Sequence, residues 1–353
     1  MNRSFWEGKR VFLTGHTGFK GSYACLWLSS MGAEVTGYAL EPNTTPNLSE
    51  LVRVEEDVSS VIGDVRDLDR LSRAMKEAKP QIVIHMAAQP LVSEGYTDPV
   101  GTYETNVMGT VHVLEAVRQC ESIKAVVNVT TDKCYENRES ARGYREDEPM
   151  GGYDPYSSSK GCSELVTAAY RQSFFPPESY ARHGVAISTA RAGNVIGFGD
   201  WAENRLVPDF FRAMEKNQPV VLRNPGATRP WQYVLEPLHG YFTLAQTLYE
   251  QGSAFCGAWN FGPEDGDTRD VEWIIKRLCE LWGGGASYRV DGERQFHETN
   301  CLKLDISKAK MLLDWKPRWD LNTALEILVD RHKRYLAGEN VKALCLETIK
   351  QYM

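Results

Sequence analysis

The 353-residue chain has no run of about 18 apolar residues, so no membrane-crossing helix is expected. Residues Met1 to Gly8 lack an apolar signal region, and no secretory leader is expected either. None of the eight cysteines forms a Cys-x-x-Cys pair; they sit in apolar contexts such as Ala24-Cys25-Leu26. That pattern fits reduced, mostly buried thiols in a cytoplasmic protein. There is no basic run, and the net charge is −7, so neither nucleic acid nor an anionic membrane is an expected partner. Local basic residues can still hold a phosphate-bearing small molecule. The seven histidines are isolated, and His297-Glu298 lacks a second His at helical spacing, so no metal site is expected. A Gly-x-Ser-x-Gly elbow, internal repeats and low-complexity segments are also absent.

What remains is a globular composition, 42% hydrophobic and 25% charged. The length suits one large α/β domain with a smaller second domain. Arg10-Val11-Phe12-Leu13 runs into Gly15-His16-Thr17-Gly18-Phe19-Lys20-Gly21; a buried helix and a second strand, Glu34 to Tyr38, follow. Strand, glycine bend, helix, strand is the dinucleotide-binding unit, with Gly15, Thr17, Gly18, Phe19 and Gly21 as candidate cofactor contacts. The second strand ends in Tyr38-Ala39-Leu40, with neither an acid for the adenosine ribose nor an Arg for a 2′-phosphate. NAD is the expected cofactor, with weakly specified ribose recognition.

A third strand is expected to end at Asp64, whose carboxylate could meet the adenine amino group beside Val65, while Asp67 reads as a helix N-cap. Gln81 to Ala88 is a buried strand whose tail, Ala87, Ala88 and Gln89, lets a cofactor lie close. Pro99 is predicted to open one long helix striped by Val107, Val111 and Leu114. Asn106 interrupts it, either as a polar surface position or as a cofactor contact.

Ala125 to Val129 is the predicted central strand, ending in Thr131-Asp132-Lys133. Chemistry gathers beyond the carboxyl ends of such strands, so these three are candidate catalytic groups against the alternative of a polar loop. Gly152-Tyr153-Asp154-Pro155 should open a helix carrying Tyr156 and Lys160 on one face. An ammonium beside a phenol favours the phenolate, making a usable base. After the strand at Val185 to Arg191 the pattern leaves the sheet at Asn194. Asn204, Arg205, Arg223 and Arg229 then supply donors, and Trp231 a stacking ring. Ala258 to Gly262 is predicted to return to the sheet. The expected architecture is a doubly wound parallel Rossmann sheet (1–193 and 229–262) with an interleaved, smaller α/β substrate domain (194–228 and 263–353).

These stretches resemble the extended short-chain dehydrogenase/reductases and, within them, the CDP-glucose 4,6-dehydratases, over essentially the whole chain. Gly15 to Gly21 and Tyr156 with Lys160 specify the superfamily; Thr131-Asp132-Lys133-Cys134-Tyr135 and Arg229-Pro230-Trp231-Gln232 point to the narrower group. Ser93-Glu94-Gly95 and Phe198 depart from its pattern in segments expected to border the substrate. The resemblance implies loss of water from CDP-glucose, with Tyr156 as base at the 4-hydroxyl and Thr131 bonding the same oxygen. Lys160 would tune Tyr156 and bond the nicotinamide ribose. Asp132 would be the general acid for the 6-hydroxyl. Lys133 is either the C5 base or, if charged, a stabiliser of the enolate. Asn194, Asn204, Arg205 and Arg229 would bind the nucleotide sugar. The resemblance also implies a homodimer or a homotetramer built from dimers, paired through the helices after Pro99 and at Tyr156. A 4-epimerase or another 4,6-dehydratase is the alternative enzyme, and a non-catalytic dinucleotide sensor the alternative class.

Overall fold

Val11-Phe12-Leu13, Ile82-Val83-Ile84 and Ala125-Val126-Val127 are unbroken apolar triplets, as strands covered on both faces must be. In the structure, a computed structural model that describes residues 2–140, 142–291 and 302–353, they form the middle of one parallel sheet. Its strands are β1 (Arg10–Thr14), β2 (Glu34–Ala39), β3 (Ser59–Ile62), β4 (Ile82–His85), β5 (Ala125–Val129), β6 (Ala186–Ala192) and β7 (Gly257–Phe261). Their order is β7-β6-β5-β4-β1-β2-β3, every adjacent pair parallel. The middle place belongs to β4, with β5 next to it. The expected doubly wound sheet is present. The strand order reverses between β1 and β4, forming the crevice where such sheets bind ligands.

Alternation along the strands sorts the helices. Val11, Leu13, Ile84 and Val127 share a core with α1 (Phe19–Ser30) and α5 (Leu235–Gln251). Phe12, Val83 and Val126 face α2 (Leu68–Ala78) and α3 (Gly109–Arg118) on the other side. Asp67 caps α2, accepting from the Arg70 amide at 3.0 Å. The third strand stops at Ile62, short of the predicted Asp64, and the chain turns at Val65-Arg66 into α2.

The single helix predicted after Pro99 is broken. A short turn (Pro99–Tyr103) passes through a π-helical segment (Glu104–Met108) into α3. The wider turn rotates the face, so Asn106 and Thr110 point inward while Val107 and Val111 are left half-buried. The predicted stripe therefore survives only at Leu114.

Beyond β6 the chain forms three two-stranded pieces. Val195–Ile196 pairs with Gln232–Tyr233, Val220–Leu222 with Tyr288–Val290, and Thr228–Pro230 with Thr268–Asp270. The C-terminal helix, Val341–Tyr352, returns to α1, where the Trp27 and Tyr352 rings lie 5.5 Å apart. Phe198 is buried in an aromatic cluster with Trp201, His332 and Tyr335. Its ring serves the core of this unit rather than a substrate border. Trp231 is buried too, its indole N–H donating to the Arg269 carbonyl at 2.9 Å, and is no open stacking platform. Among the described residues no helix is long and apolar enough to cross a membrane, and no group of metal ligands occurs. His297-Glu298 and Cys301 lie outside the described residues.

Candidate active site

The glycine bend closes tightly on itself. Gly15 has φ +82°, and a Cβ there would lie 2.9 Å from the Ala87 amide nitrogen. A Cβ on Gly21 would lie 2.0 Å from the Gly15 carbonyl oxygen. Gly18 begins α1 with no side-chain cap and is exposed, so the first helical N–H groups face outward. The Thr17 hydroxyl donates to the Leu40 carbonyl at 2.8 Å and fastens the bend to the end of β2. An uncapped helix start over a cradle that side chains would fill suits a dinucleotide pyrophosphate. Gly21→Ala is expected to weaken dinucleotide binding by about tenfold or more, the equivalent of about 1.4 kcal/mol; fluorescence titration checks it.

At the adenosine end, the Asp64 carboxylate is already taken. Arg66 donates to it from its backbone and twice from its guanidinium, at 2.6 to 2.9 Å. Burial would raise this carboxyl, but those bonds outweigh it and hold it below its usual range. The Tyr38 hydroxyl donates to the Asp64 carbonyl at 3.0 Å, and Val65 is buried beneath, its carbonyl 3.0 Å from His112 Nδ1. Beside Gly37 the ring of His16 fills the space under β2, with Nε2 2.7 Å from the Ser60 hydroxyl.

Between β1 and β4 runs a buried polar chain. The Thr14 hydroxyl oxygen accepts from the Met86 and Ala87 amides, both at 3.1 Å, so its proton goes to His85 Nδ1 at 2.7 Å. His85 Nε2–H then faces the Thr110 hydroxyl, which contacts Ser163 at 2.9 Å. Asn106 belongs to the same layer and is not a surface residue. It accepts from the Gln89 amide at 2.8 Å and donates to the Gln89 carbonyl and to Ser159. It thus ties the Ala87-Ala88-Gln89 segment to the helix of Tyr156. Its amide is fully used by protein, which makes it a positioning residue.

Burial pushes His85 down to about 3 and His16 to about 4. In the unfolded chain both would protonate near the usual 6.5, so the unfolded state binds more protons below that pH. Stability is then fully present above pH ~6.5 and lost as the pH falls toward ~4. Melting temperatures across that window are expected to fall, and less steeply in His85→Gln.

The catalytic candidates come together beyond β5. Thr131 opens a short 3-10 turn (Asp132–Cys134) that swings Asp132 inward, where it is fully buried. Asp132 Oδ1 accepts from the Thr131 hydroxyl at 3.0 Å and from Lys133 Nζ at 3.4 Å. Oδ2, on the other edge, is buried without a partner and faces Gly193. Pro155 and the Asp154 cap start α4 (Pro155–Ser173). Tyr156 is buried against Thr131 and Asp132, and the chain of Gly95 packs on its backbone. A residue larger than Gly95 would press directly on the helix turn of Tyr156, since a Cβ there would lie 3.1 Å from the Tyr156 amide nitrogen.

Lys160 behaves otherwise than its sequence position suggests. Its ammonium donates to the Val129 carbonyl at 3.0 Å, and burial pushes it down to about 8. Burial also pushes the Tyr156 phenol up, to about 12, with the Thr131 hydroxyl and then Arg205 pulling the other way. In the protein alone, desolvation outweighs the expected help from Lys160. One helical turn further, Glu164 makes a two-pronged, buried ion pair with Arg191 at 2.8 and 3.0 Å and receives Thr130 and Thr189. This pair, absent from the sequence-based candidates, clamps α4 to β6.

The remaining candidates lie in the loops and short strands after β6. Asn194 Oδ1 is buried and unpartnered. Arg205 pairs with Asp200 at 2.9 Å, and its charge reaches Tyr156. Asn204, at φ +60°, accepts from Arg223 at 3.3 Å. Arg229 is buried and donates to the Thr228 carbonyl. Lys20 and Tyr241 also approach this centre, and sequence reasoning passed over both. A lysine inside a glycine bend was the available signal for the first; nothing local marks the second.

A family model described as GDP-mannose 4,6 dehydratase matches residues 12–261. The chain is 56% identical over 353 residues to the CDP-glucose 4,6-dehydratase of Salmonella typhimurium, covering 100% of this chain and 98% of the relative. Among solved structures, a Thermus thermophilus UDP-glucose 4-epimerase complexed with NAD is similar (TM-score 0.78, 26% identity, 92% of this chain and 99% of that one). So is a Bacillus anthracis dTDP-glucose 4,6-dehydratase in complex with NAD (TM-score 0.74, 21% identity, 93% and 97%), a likeness of fold. With a buried Tyr156, Lys160 and Asp132 beyond the sheet, and a full-length relative of that identity, the chain belongs to the nucleotide-sugar 4,6-dehydratase family, on its CDP-glucose branch.

Proposed function

We propose that this enzyme dehydrates CDP-D-glucose to CDP-4-dehydro-6-deoxy-D-glucose and water. The observation that carries it is the unpartnered, buried Oδ2 of Asp132, across the same carboxyl from Thr131 and Lys133. A 4-epimerase has no leaving hydroxyl and no use for such a group.

NAD, when bound on the glycine bend, supplies the hydride acceptor for C4, the donor for C6 and a positive charge beside the phenol. The chain does the rest. Tyr156 takes the proton of the 4-hydroxyl, and Thr131 orients that oxygen. The resulting ketone acidifies the C5–H bond. Asp132 gives its proton to the departing 6-hydroxyl, because hydroxide alone leaves poorly. Lys133 touches the opposite edge of the same carboxyl; as the free amine it would receive the C5 proton, and as the ammonium it would stabilise the enolate. In Lys133→Met, solvent-deuterium exchange at C5 is expected to fall by about 10²-fold or more. Unchanged exchange would instead make Lys133 a purely electrostatic helper. Asn194, Asn204, Arg205 and Arg229 are the donors assigned to the nucleotide sugar.

Exposed Val100, Tyr103, Met108 and Leu165 on the helices around Tyr156 support a homodimer, or a tetramer of dimers, joined there. The free cysteines, four of them buried, support a reduced, cytoplasmic setting. Purified protein incubated with CDP-glucose and NAD⁺ is expected to form a 4-keto product, and UDP-glucose and dTDP-glucose much less. No keto sugar from any of the three refutes the reading.

A further inference from the structure

Lys20 stands in the first turn of α1, directly behind the exposed glycine bend. It is half-buried, and among the described residues its ammonium has neither a hydrogen bond nor an anionic partner. What it does meet is the face of the Tyr241 ring, 5.6 Å from the ammonium. Tyr241 comes from α5 and is itself buried, with its hydroxyl unpartnered and Tyr156 and Asp132 as its charged or ionisable neighbours. The charges that act on Lys20 are those of Arg205, Lys160 and Asp132. The head of Lys20 therefore lies on the catalytic side of the bend. It adjoins the glycine bend and lies within electrostatic reach of Lys160 and Asp132, so a nicotinamide riboside running from the bend to Tyr156 would pass near it.

A lone ammonium among Lys160 and Arg205 is costly unless it has a task, and burial pushes it down to about 8, still charged at neutral pH. The nicotinamide ring is cationic when oxidised and neutral when reduced. Hydride uptake moves two electrons and one proton from sugar C4 to the ring and removes that formal charge. A fixed cation alongside opposes the oxidised ring and not the reduced one. We propose that Lys20 sets the redox poise of the bound dinucleotide through its charge, favouring hydride uptake at C4. This inference rests on the dehydratase reading above.

The test is binding, not turnover. Wild type, Lys20→Met, Lys20→Gln and Lys20→Arg are titrated separately with NAD⁺ and NADH, by calorimetry or fluorescence, with melting curves to check folding. The preference for the reduced over the oxidised form is expected to fall by about tenfold in each neutral variant. It should stay near wild type in Lys20→Arg. A preference unchanged within about twofold in a folded neutral variant overturns the proposal. The proposal falls equally if both affinities drop together, because a phosphate contact weakens both forms alike. Wild-type protein that binds neither dinucleotide would refute the functional reading itself, whereas binding with an unaltered ratio refutes only the role of Lys20.

Discussion

Asp132→Asn is expected to stop dehydration while sparing oxidation at C4. The amide keeps the shape of the carboxyl and can still accept the Thr131 hydroxyl. It has no acidic proton to give from the edge that has no partner. General-acid catalysis of this kind is worth about 10²–10⁴-fold, so product should fall by that factor. Reduced-nicotinamide absorbance should appear and persist when CDP-glucose is added. Loss of both steps together would mean that Asp132 does something other than protonate a leaving group. The buried charge neighbourhood also matters. Lys133 Nζ would face an amide in place of the carboxyl it contacts at 3.4 Å, so the melting curve of this variant should be read beside its kinetics.

Tyr156→Phe is expected to lose both steps, by about 10²–10⁴-fold, because oxidation cannot begin without removal of the 4-hydroxyl proton. The pH profile gives a second signature. With the phenol pushed up to about 12 in the protein alone, its base form is the minority species at neutral pH. Each rise in pH increases that form, so kcat/KM of the wild type should climb through the neutral range. The residual activity of the Phe variant should lack that limb. A wild-type profile that is flat from acid to neutral pH would place the base elsewhere.

Much of this was legible in the sequence, and the limits have physical causes. Period and punctuation fixed the sheet: apolar triplets for buried strands, glycines at the first bend, Asp67 and Asp154 as caps where α2 and α4 begin. Tyr156 and Lys160 fell on one helical face, as spacing alone predicts. Spacing could not say where the Lys160 ammonium would point. It turns to the Val129 carbonyl because a buried cation takes the nearest acceptor, and the gain expected for the phenol is outweighed by its desolvation. Asn106, open in the sequence as a surface position or a cofactor contact, is buried, and the π-helical turn that carries it inward leaves no pattern in the sequence. Phe198 and Trp231 looked like ligand contacts because they sit in irregular, Gly-rich or Arg-rich segments, yet both serve the core. The Glu164–Arg191 pair joins residues 27 apart in the chain, on different elements, and no local pattern could announce it.

The most direct measurement follows a single label. CDP-glucose carrying deuterium at C4 is converted in ordinary water, and the product is read by NMR and mass spectrometry. If Asp132 expels the 6-hydroxyl while C4 hydride is held and returned, deuterium appears at C6 of a 4-keto product. Deuterium that stays on C4, in a sugar that has kept its 6-hydroxyl, would contradict the account and leave an epimerase in its place.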